Sequence, residues 1–480
     1  MHFLIYQSMS NNILSKIRLH LKHSFDRLNN EQLKKNVLQA IPFWIASVIT
    51  GLIAVVYARL FFYAEDLTAK VFHWHAWLLF ILTPVCFIGA WWIVKRFAAY
   101  SRGSGIPQVA AAIEITGPKT DDKVDKLLSI KVIVVKVISS LVLAIGGGAI
   151  GREGPTIQIA ASVFRKVNQI LPAWWPKVAK RNMIITGAAA GLAAAFNTPL
   201  GGIVFAIEEL TKTHFSYFKT AIFSSVIIAG LTAQGILGPY LYLGYPKIDS
   251  LSTFIFLSVA LVAAITGLLG SAMSKFILVI LKWKAKFRFQ REHVIYLVCC
   301  ALIMVTFAYF VNFAALGSGK DVMQRVLFTS DKYSVWYMPV FRIIGPALSF
   351  TTGAAGGIFA PALGAGASVG SFVASWFNFS EANTNMLILA GMVGFLTGVT
   401  RSPFTSAILV LEMTDRNNVI FHLILAGMIA SLAAMLVDKH SLYDHLKVQY
   451  MIDLKAEEEN ENAQDEPAPI IETVKNESPA

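Results

Sequence analysis

Three short segments of this chain carry the residue types from which an anion site could be made without metal or fixed cation. Gly151-Arg152-Glu153-Gly154-Pro155 runs into an apolar stretch at 156–164. Gly103-Ser104-Gly105-Ile106-Pro107 runs into another at 109–113, and Gly356-Gly357-Ile358-Phe359-Ala360-Pro361 into a third at 362–373. Each reads as loop, helix start, apolar helix. Glycine lets the backbone approach closely, and proline is tolerated in a first helical turn. A helix start offers free N–H groups and the positive end of the helix dipole. Burying a bare ion costs on the order of 20 kcal/mol by the idealised Born estimate, whereas one helix end returns about 0.3–2 kcal/mol. Several ends must therefore converge, with hydroxyl donors added. A full Lys or Arg charge would hold the ion too long, because passage requires weak, multi-site binding. Taken alone, each segment fits a tight helix crossing built from small residues better than an ion site.

The segments recur. Gly103-Ser104-Gly105 is echoed by Gly317-Ser318-Gly319, and the run ending in Pro155 by the run ending in Pro361. Asn197-Thr198-Pro199-Leu200, followed by Ala206-Ile207-Glu208, is echoed by Arg401-Ser402-Pro403-Phe404, followed by Val410-Leu411-Glu412. The pairs keep their order at nearly constant spacing. Interrupted segments in matching positions of two halves point to a site at the interface between repeats.

The elements that must carry these segments lie in a membrane. The 480 residues are 55% hydrophobic and only 15% charged, against about 25% charged in soluble domains. Mean hydropathy is +0.59. Uncharged stretches of spanning size occur at 41–58, 76–94, 182–207, 220–246, 250–274, 294–319, 343–380, 382–400 and 417–437, and 131–151, which opens on Lys131, is interrupted by Lys136. The stretch 343–380, with many glycines and two prolines, must break, and broken backbone at membrane depth survives only around a cavity inside protein. That points to a transporter or channel rather than an anchor. Basic residues mark cytosolic loops: Lys95, Arg96 and Arg102 after the second span, the cluster at 282–291, and the polar first 40 residues. The cluster is expected to be a plain topogenic loop, and a loop carrying Glu65 and Asp66 is expected to face outward. Both termini are expected in the cytosol. The first 40 residues hold no signal-peptide pattern. The net charge of +12 is read as topology and membrane-surface contact rather than nucleic-acid binding. Residues 451–480, nine Asp/Glu against two Lys, read as a disordered tail. Cys86, Cys299 and Cys300 read as packing residues, with no metal spacing.

In this order the three segments resemble the signature stretches of the CLC family of chloride channels and proton–chloride exchangers, over about residues 41–450. Gln108 stands where many members carry Glu, and the C-terminus is too short for the regulatory module of many eukaryotic members. The chain is therefore similar to the prokaryotic exchangers. The resemblance implies an all-α membrane protein with two inverted halves of tilted, broken helices: a segment at 1–40, half-repeats at 41–246 and 247–450, and the tail. It implies a homodimer in the bacterial inner (plasma) membrane with an anion path in each subunit, exchanging chloride for protons, with no cofactor beyond chloride as substrate. Ser104 and Tyr443, in Ser441-Leu442-Tyr443, would give hydroxyls to the ion, and N–H groups near Gly154, Ile358 and Phe359 the rest. Glu153 would be the gating carboxylate and Glu209 the internal proton-transfer group. A carboxylate aimed at a helix start mimics the anion, so ionised Glu153 and chloride compete, and protonation frees the side chain to leave. The capping alternative remains for both: Glu153 as a helix-cap carboxylate, Glu209 as a salt-bridged helix end. Arg152 and Glu412 read as structural.

Within the same fold, a passive voltage- or pH-gated chloride channel and a fluoride/proton antiporter are the rivals. By the resemblance, Glu209 argues against the first and Ser104 in an intact stretch against the second. An intramembrane enzyme would need a nucleophile–base pair or a metal set, and no HExxH or P-loop occurs. His73 and His75 beside Trp74 fit an interfacial aromatic belt better than a metal site.

Overall fold

The computed structural model describes residues 31–465 except 118–119, 173, 212–218, 239–240, 250 and 378. These residues form helices α1 (Glu31–His75), α2 (Leu79–Phe97), α3 (Ile106–Ile115), α4 (Asp121–Leu127), α5 (Ile130–Ile145), α6 (Glu153–Ile170), α7 (Lys180–Phe196), α8 (Pro199–Phe205) and α9 (Lys219–Leu237). A second series follows: α10 (Ile255–Lys284), α11 (Gln290–Phe310), α12 (Lys320–Phe328), α13 (Tyr337–Thr351), α14 (Phe359–Ala374), α15 (Glu381–Thr400), α16 (Pro403–Thr414) and α17 (Ile420–Met435), then α18 (Leu442–Asp465). Among the described residues seven helical stretches are long and apolar enough to cross a membrane, so the chain is a multi-pass, all-α membrane protein. Among the described residues, extended backbone pairs only at two isolated bridges, Gly103 with Ala355 and Gly151 with Gly357.

Matched backbone features recur in the two series. Gly103 and Gly105 have φ of 63° and 103°, and Gly317 and Gly319 have 70° and 89°; these left-handed values make glycine the natural residue at both turns. Asn197 and Arg401 end α7 and α15 in the same left-handed conformation, φ 57° and 62°, and a proline opens the next helix in each case. The capping is reciprocal. Glu412, near the end of α16, accepts the Leu200 and Gly201 amides at the start of α8, at 3.0 and 2.7 Å. Glu208 accepts the Phe404 and Thr405 amides at the start of α16, at 3.2 and 2.7 Å. Each half thus supplies the carboxylate that satisfies the other half's orphan N–H groups. α7 and α15 form the centre: α15 is buried almost throughout, against α14 on one side and α10 on another. Gly366, Gly370 and Gly391 bring α14 and α15 so close that a Cβ on any of them would strike the facing backbone.

Several expectations need correction. The stretch 182–207 is not one span, because the turn at Asn197 and the missing N–H of Pro199 break it into α7 and α8. The stretch 220–246 stops being helical at Leu237, ahead of Gly238 with φ 85°. Glu65 and Asp66 lie inside α1 rather than in a loop. Asp66 pairs with Lys70 one turn on, and Glu65 accepts the Ser318 amide at 2.7 Å. The basic cluster at 282–291 is more than a topogenic loop, for Lys284 is buried and its ammonium holds the Thr351 and Thr352 carbonyls at the end of α13. The tail is not disordered through 465. α18 continues to Asp465 because its acidic face meets basic partners: Arg102 with Asp453 at 2.5 Å, Lys123 with Glu458 at 2.6 Å, and Lys126 with Glu461 at 2.8 Å. Residues 466–480, and 1–30 at the other end, lie outside the described residues. Cys86 and Cys300 are buried as expected of packing residues, while Cys299 is exposed.

Candidate anion-binding site

The three glycine-rich segments meet where the two series face each other. The Gly151 amide donates to the Gly357 carbonyl at 2.8 Å, and the Gly357 amide returns the bond to Gly151 at 2.7 Å. These two bonds set the starts of α6 and α14 side by side. The turn before α3 joins them through Gly103, whose amide donates to Ala354 O at 2.8 Å and whose carbonyl accepts from the Gly356 amide at 3.1 Å. Lys136, which interrupts its span in sequence, is wholly buried and donates to the same Gly103 carbonyl at 2.8 Å. Gln108 holds the turn from the other side through Arg102 O, at 2.6 Å. Both residues position the turn, and neither had been singled out for that role: Lys136 reads as a blemish in an apolar run, Gln108 as a variant of a motif.

The donors come together as a consequence. A Cβ on Gly154 would run into the Ser104 hydroxyl, so that hydroxyl rests on the Gly154 backbone. A Cβ on Gly357 would lie 3.1 Å from the Gly154 nitrogen. The first backbone bond of α14 runs from Ala362 to Ile358, so the Ile358 and Phe359 amides have no acceptor within the helix. The first bond of α6, Thr156 to Arg152, leaves the Gly154 amide in the same position. Tyr443, at the start of α18, stacks its ring on Phe359 with centroids 6.1 Å apart and planes 9° from parallel. Its hydroxyl neighbours that of Ser104. Both hydroxyls are buried, and among the described residues neither completes a well-formed hydrogen bond. Leaving two buried hydroxyls unpaired is costly, and in the same place three helix starts aim their amides. This donor set fits a small anion held without a cation. Ser104, Gly154, Ile358, Phe359 and Tyr443 are all brought to one place.

Glu153 is the first residue of α6 and is buried to 1% exposure. Its carboxylate lies over Gly151, where a Cβ would strike it, and faces the Ala360 amide at the start of α14. The Tyr242 hydroxyl donates to its Oε1 at 3.2 Å. Tyr242 was not anticipated, because nothing separates it in sequence from Tyr240 and Tyr245 nearby. Glu209 lies in a π-helical turn, Ala206–Thr211, that continues α8. Such turns are rare and frequent at functional sites. It is buried, and Ser402, at the cap of α16, donates to it at 2.7 Å. Tyr443 lies within electrostatic reach of both Glu209 and Glu153. Phe196, Phe205 and Phe359 form a ring cluster that joins Tyr242 to Tyr443.

The second copy of the first segment is closed. Ser318 and the start of α12 face the chain's own Glu65 carboxylate, and the wholly buried Arg342 guanidinium packs on Gly319 and donates to Leu316 O and Gly317 O at 3.0 and 3.1 Å. Only the first copy keeps its hydroxyl for the site. Among the described residues, no group of His, Cys, Asp and Glu is arranged to hold a metal ion.

The fold is shared with known proteins. The family model for the voltage gated chloride channel matches residues 85–435. The H(+)/Cl(-) exchange transporter ClcA of Cronobacter sakazakii is 28% identical over 408 residues, covering 81% of this chain and 84% of that protein. The structure of a slow cyanobacterial Cl-/H+ antiporter superposes with a TM-score of 0.75 at 21% identity, over 88% of this chain and 99% of that one. A CLC-type fluoride/proton antiporter superposes with a TM-score of 0.71 at 18% identity, over 86% and 98% of the two chains.

Proposed function

Since the chain belongs to the voltage-gated chloride channel family and its relatives include prokaryotic exchangers, we propose that it is a secondary antiporter exchanging chloride for protons across the plasma membrane. The observation that carries the proposal is the pair of buried, unpaired hydroxyls of Ser104 and Tyr443 facing helix starts, with the Glu153 carboxylate buried beside one of those starts.

In this reading chloride takes the Ser104 and Tyr443 hydroxyls and the amides near Gly154, Ile358 and Phe359. Each hydrogen bond to a charged group is worth about 1.5–3 kcal/mol, so a handful offsets a large part of the desolvation cost without a fixed cation. Glu153 is the gate. Ionised, it is held at the start of α14 in place of an anion; protonated, it loses the attraction of that helix end and leaves. Glu209 is the second acid, where the proton parts from the anion path toward the cytosol. A buried carboxylate that accepts from a hydroxyl, as Glu209 does from Ser402, is a candidate for repeated loading and unloading of a proton. This supports exchange over a passive channel, and the intact Ser104 segment supports chloride over fluoride. We read 41–246 and 247–450 as the half-repeats, with the ends of α2 and α10 (Lys95, Arg96, Lys282) and both termini on the cytosolic side of a bacterial inner membrane, and the protein as a homodimer with one path per subunit. The test is purified protein in liposomes under an outward chloride gradient: chloride leaving should draw protons in against their own gradient. Chloride flux with no proton movement would make the protein a channel.

A further inference from the structure

We propose that Tyr242 is a positioning residue for the Glu153 gate: its phenol latches the docked carboxylate and sets the pH at which the gate lets go. The inference rests on the reading of Glu153 as the gate.

Tyr242 belongs to the irregular connection between α9 and α10, the link between the two series of helices. It reaches into the protein and is 3% exposed. Three contacts hold it there. The next residue, Leu243, donates its amide to Met413 O near the end of α16, at 3.2 Å. The Tyr242 ring meets Phe196 edge-on, with centroids 5.0 Å apart. The Lys320 ammonium, at the start of α12, lies 4.8 Å from the ring centroid. So fixed, the phenol O–H donates to Glu153 Oε1 at 3.2 Å, with Glu65 also within electrostatic reach. That length is beyond the usual O–H···O mode, so the bond holds the carboxylate without locking it. The other oxygen, Oε2, is buried over Gly151.

Other groups also face this carboxylate. Arg152 precedes it on the chain; Tyr57 and Glu65 face it from α1, Lys320 from α12 and Tyr443 from α18. Among these Tyr242 is distinctive in donating a hydrogen bond from outside the two helix starts that form the socket. A donor to the charged form of a carboxylate favours that form. Tyr242 therefore stabilises the ionised, docked gate against the protonated, departed one. Removing the hydroxyl while keeping the ring should let the gate open at lower proton concentration.

The test is the pH profile of chloride–proton exchange in liposomes for wild type, Tyr242→Phe, Glu153→Gln and the double variant. A hydrogen bond at the weak end of the charged range corresponds to roughly tenfold in the gate equilibrium, so Tyr242→Phe should move the midpoint of the flux profile upward by about one pH unit with coupling retained. In the Glu153→Gln background the same change should move nothing. A merely structural role would lower the amount of active protein without moving the midpoint. If Tyr242→Phe fails to fold, a ring-fluorinated tyrosine at position 242, a stronger donor of nearly the same shape, should move the midpoint downward. An unmoved midpoint in either variant, with Glu153→Gln still abolishing the pH dependence, overturns the role of Tyr242 alone. Retention of pH dependence and coupling in Glu153→Gln would instead overturn the gate reading beneath it.

Discussion

Replacing Glu412 by Gln should destabilise the protein without touching transport. The Glu412 carboxylate uses both oxygens at the start of α8, one on the Leu200 amide at 3.0 Å and one on the Gly201 amide at 2.7 Å. Glutamine has one acceptor oxygen, and its NH2 group must face the other amide. One charge-assisted bond is lost and one half-buried N–H is left unsatisfied, costing about 1–3 kcal/mol. Loss of the negative charge at a helix start removes a further contribution of about 0.3–1 kcal/mol. The sum is about 1–4 kcal/mol. Glu208→Gln should behave alike, since Glu208 serves α16 through Phe404, Thr405 and the Thr405 hydroxyl. The assay is equilibrium unfolding in mixed micelles followed by tryptophan fluorescence, with anion flux per folded protein measured on the same preparations. Unchanged stability with reduced flux in Glu412→Gln would refute the capping role and make Glu412 part of the ion path.

The remaining predictions concern Glu209 and the acidic face of α18. Glu209→Gln should spare anion flux and stop proton movement, measured together in liposomes; coupling retained in that variant moves the internal proton group elsewhere. The charge reversals Lys123→Glu and Lys126→Glu together should free the acidic end of α18. The three pairs they break are partly exposed and worth about 0.2–1 kcal/mol each. Hydrogen exchange over 453–461 should therefore speed up several-fold, as it should for wild type at salt near 1 M, where the screening length falls to about 3 Å. Exchange in that segment indifferent to both changes would show that apolar packing alone holds the helix.

How far the sequence is legible depends on whether a signal is local. The three glycine-rich segments start helices as their composition predicts, because close backbone approach and a proline in the first turn are written in adjacent residues. The internal echo is visible for the same reason, and its physical content is in the paired turns at Gly103 and Gly317 and at Asn197 and Arg401. Hydropathy found the apolar stretches but not their ends. It reads Ala-Gly-rich α7 and the short α8 as one run, since the break rests on a single left-handed residue. Glu65 looked like a loop residue because its partner, the Ser318 amide, lies 253 positions away. Tyr242 and Lys136 were missed for the same cause: each acts through one distant atom, on Glu153 and on Gly103. The tail looked disordered because its charges were counted without Arg102, Lys123 and Lys126, which neutralise them across the fold.

One comparison bears most directly on a movable acid that shares its place with chloride: proton uptake by liposomes holding wild-type protein or Glu153→Gln, under the same chloride gradient with charge movement shunted. Wild type should acidify its interior as chloride leaves, and Glu153→Gln should pass chloride with no acidification. Proton uptake undiminished in Glu153→Gln would contradict the account.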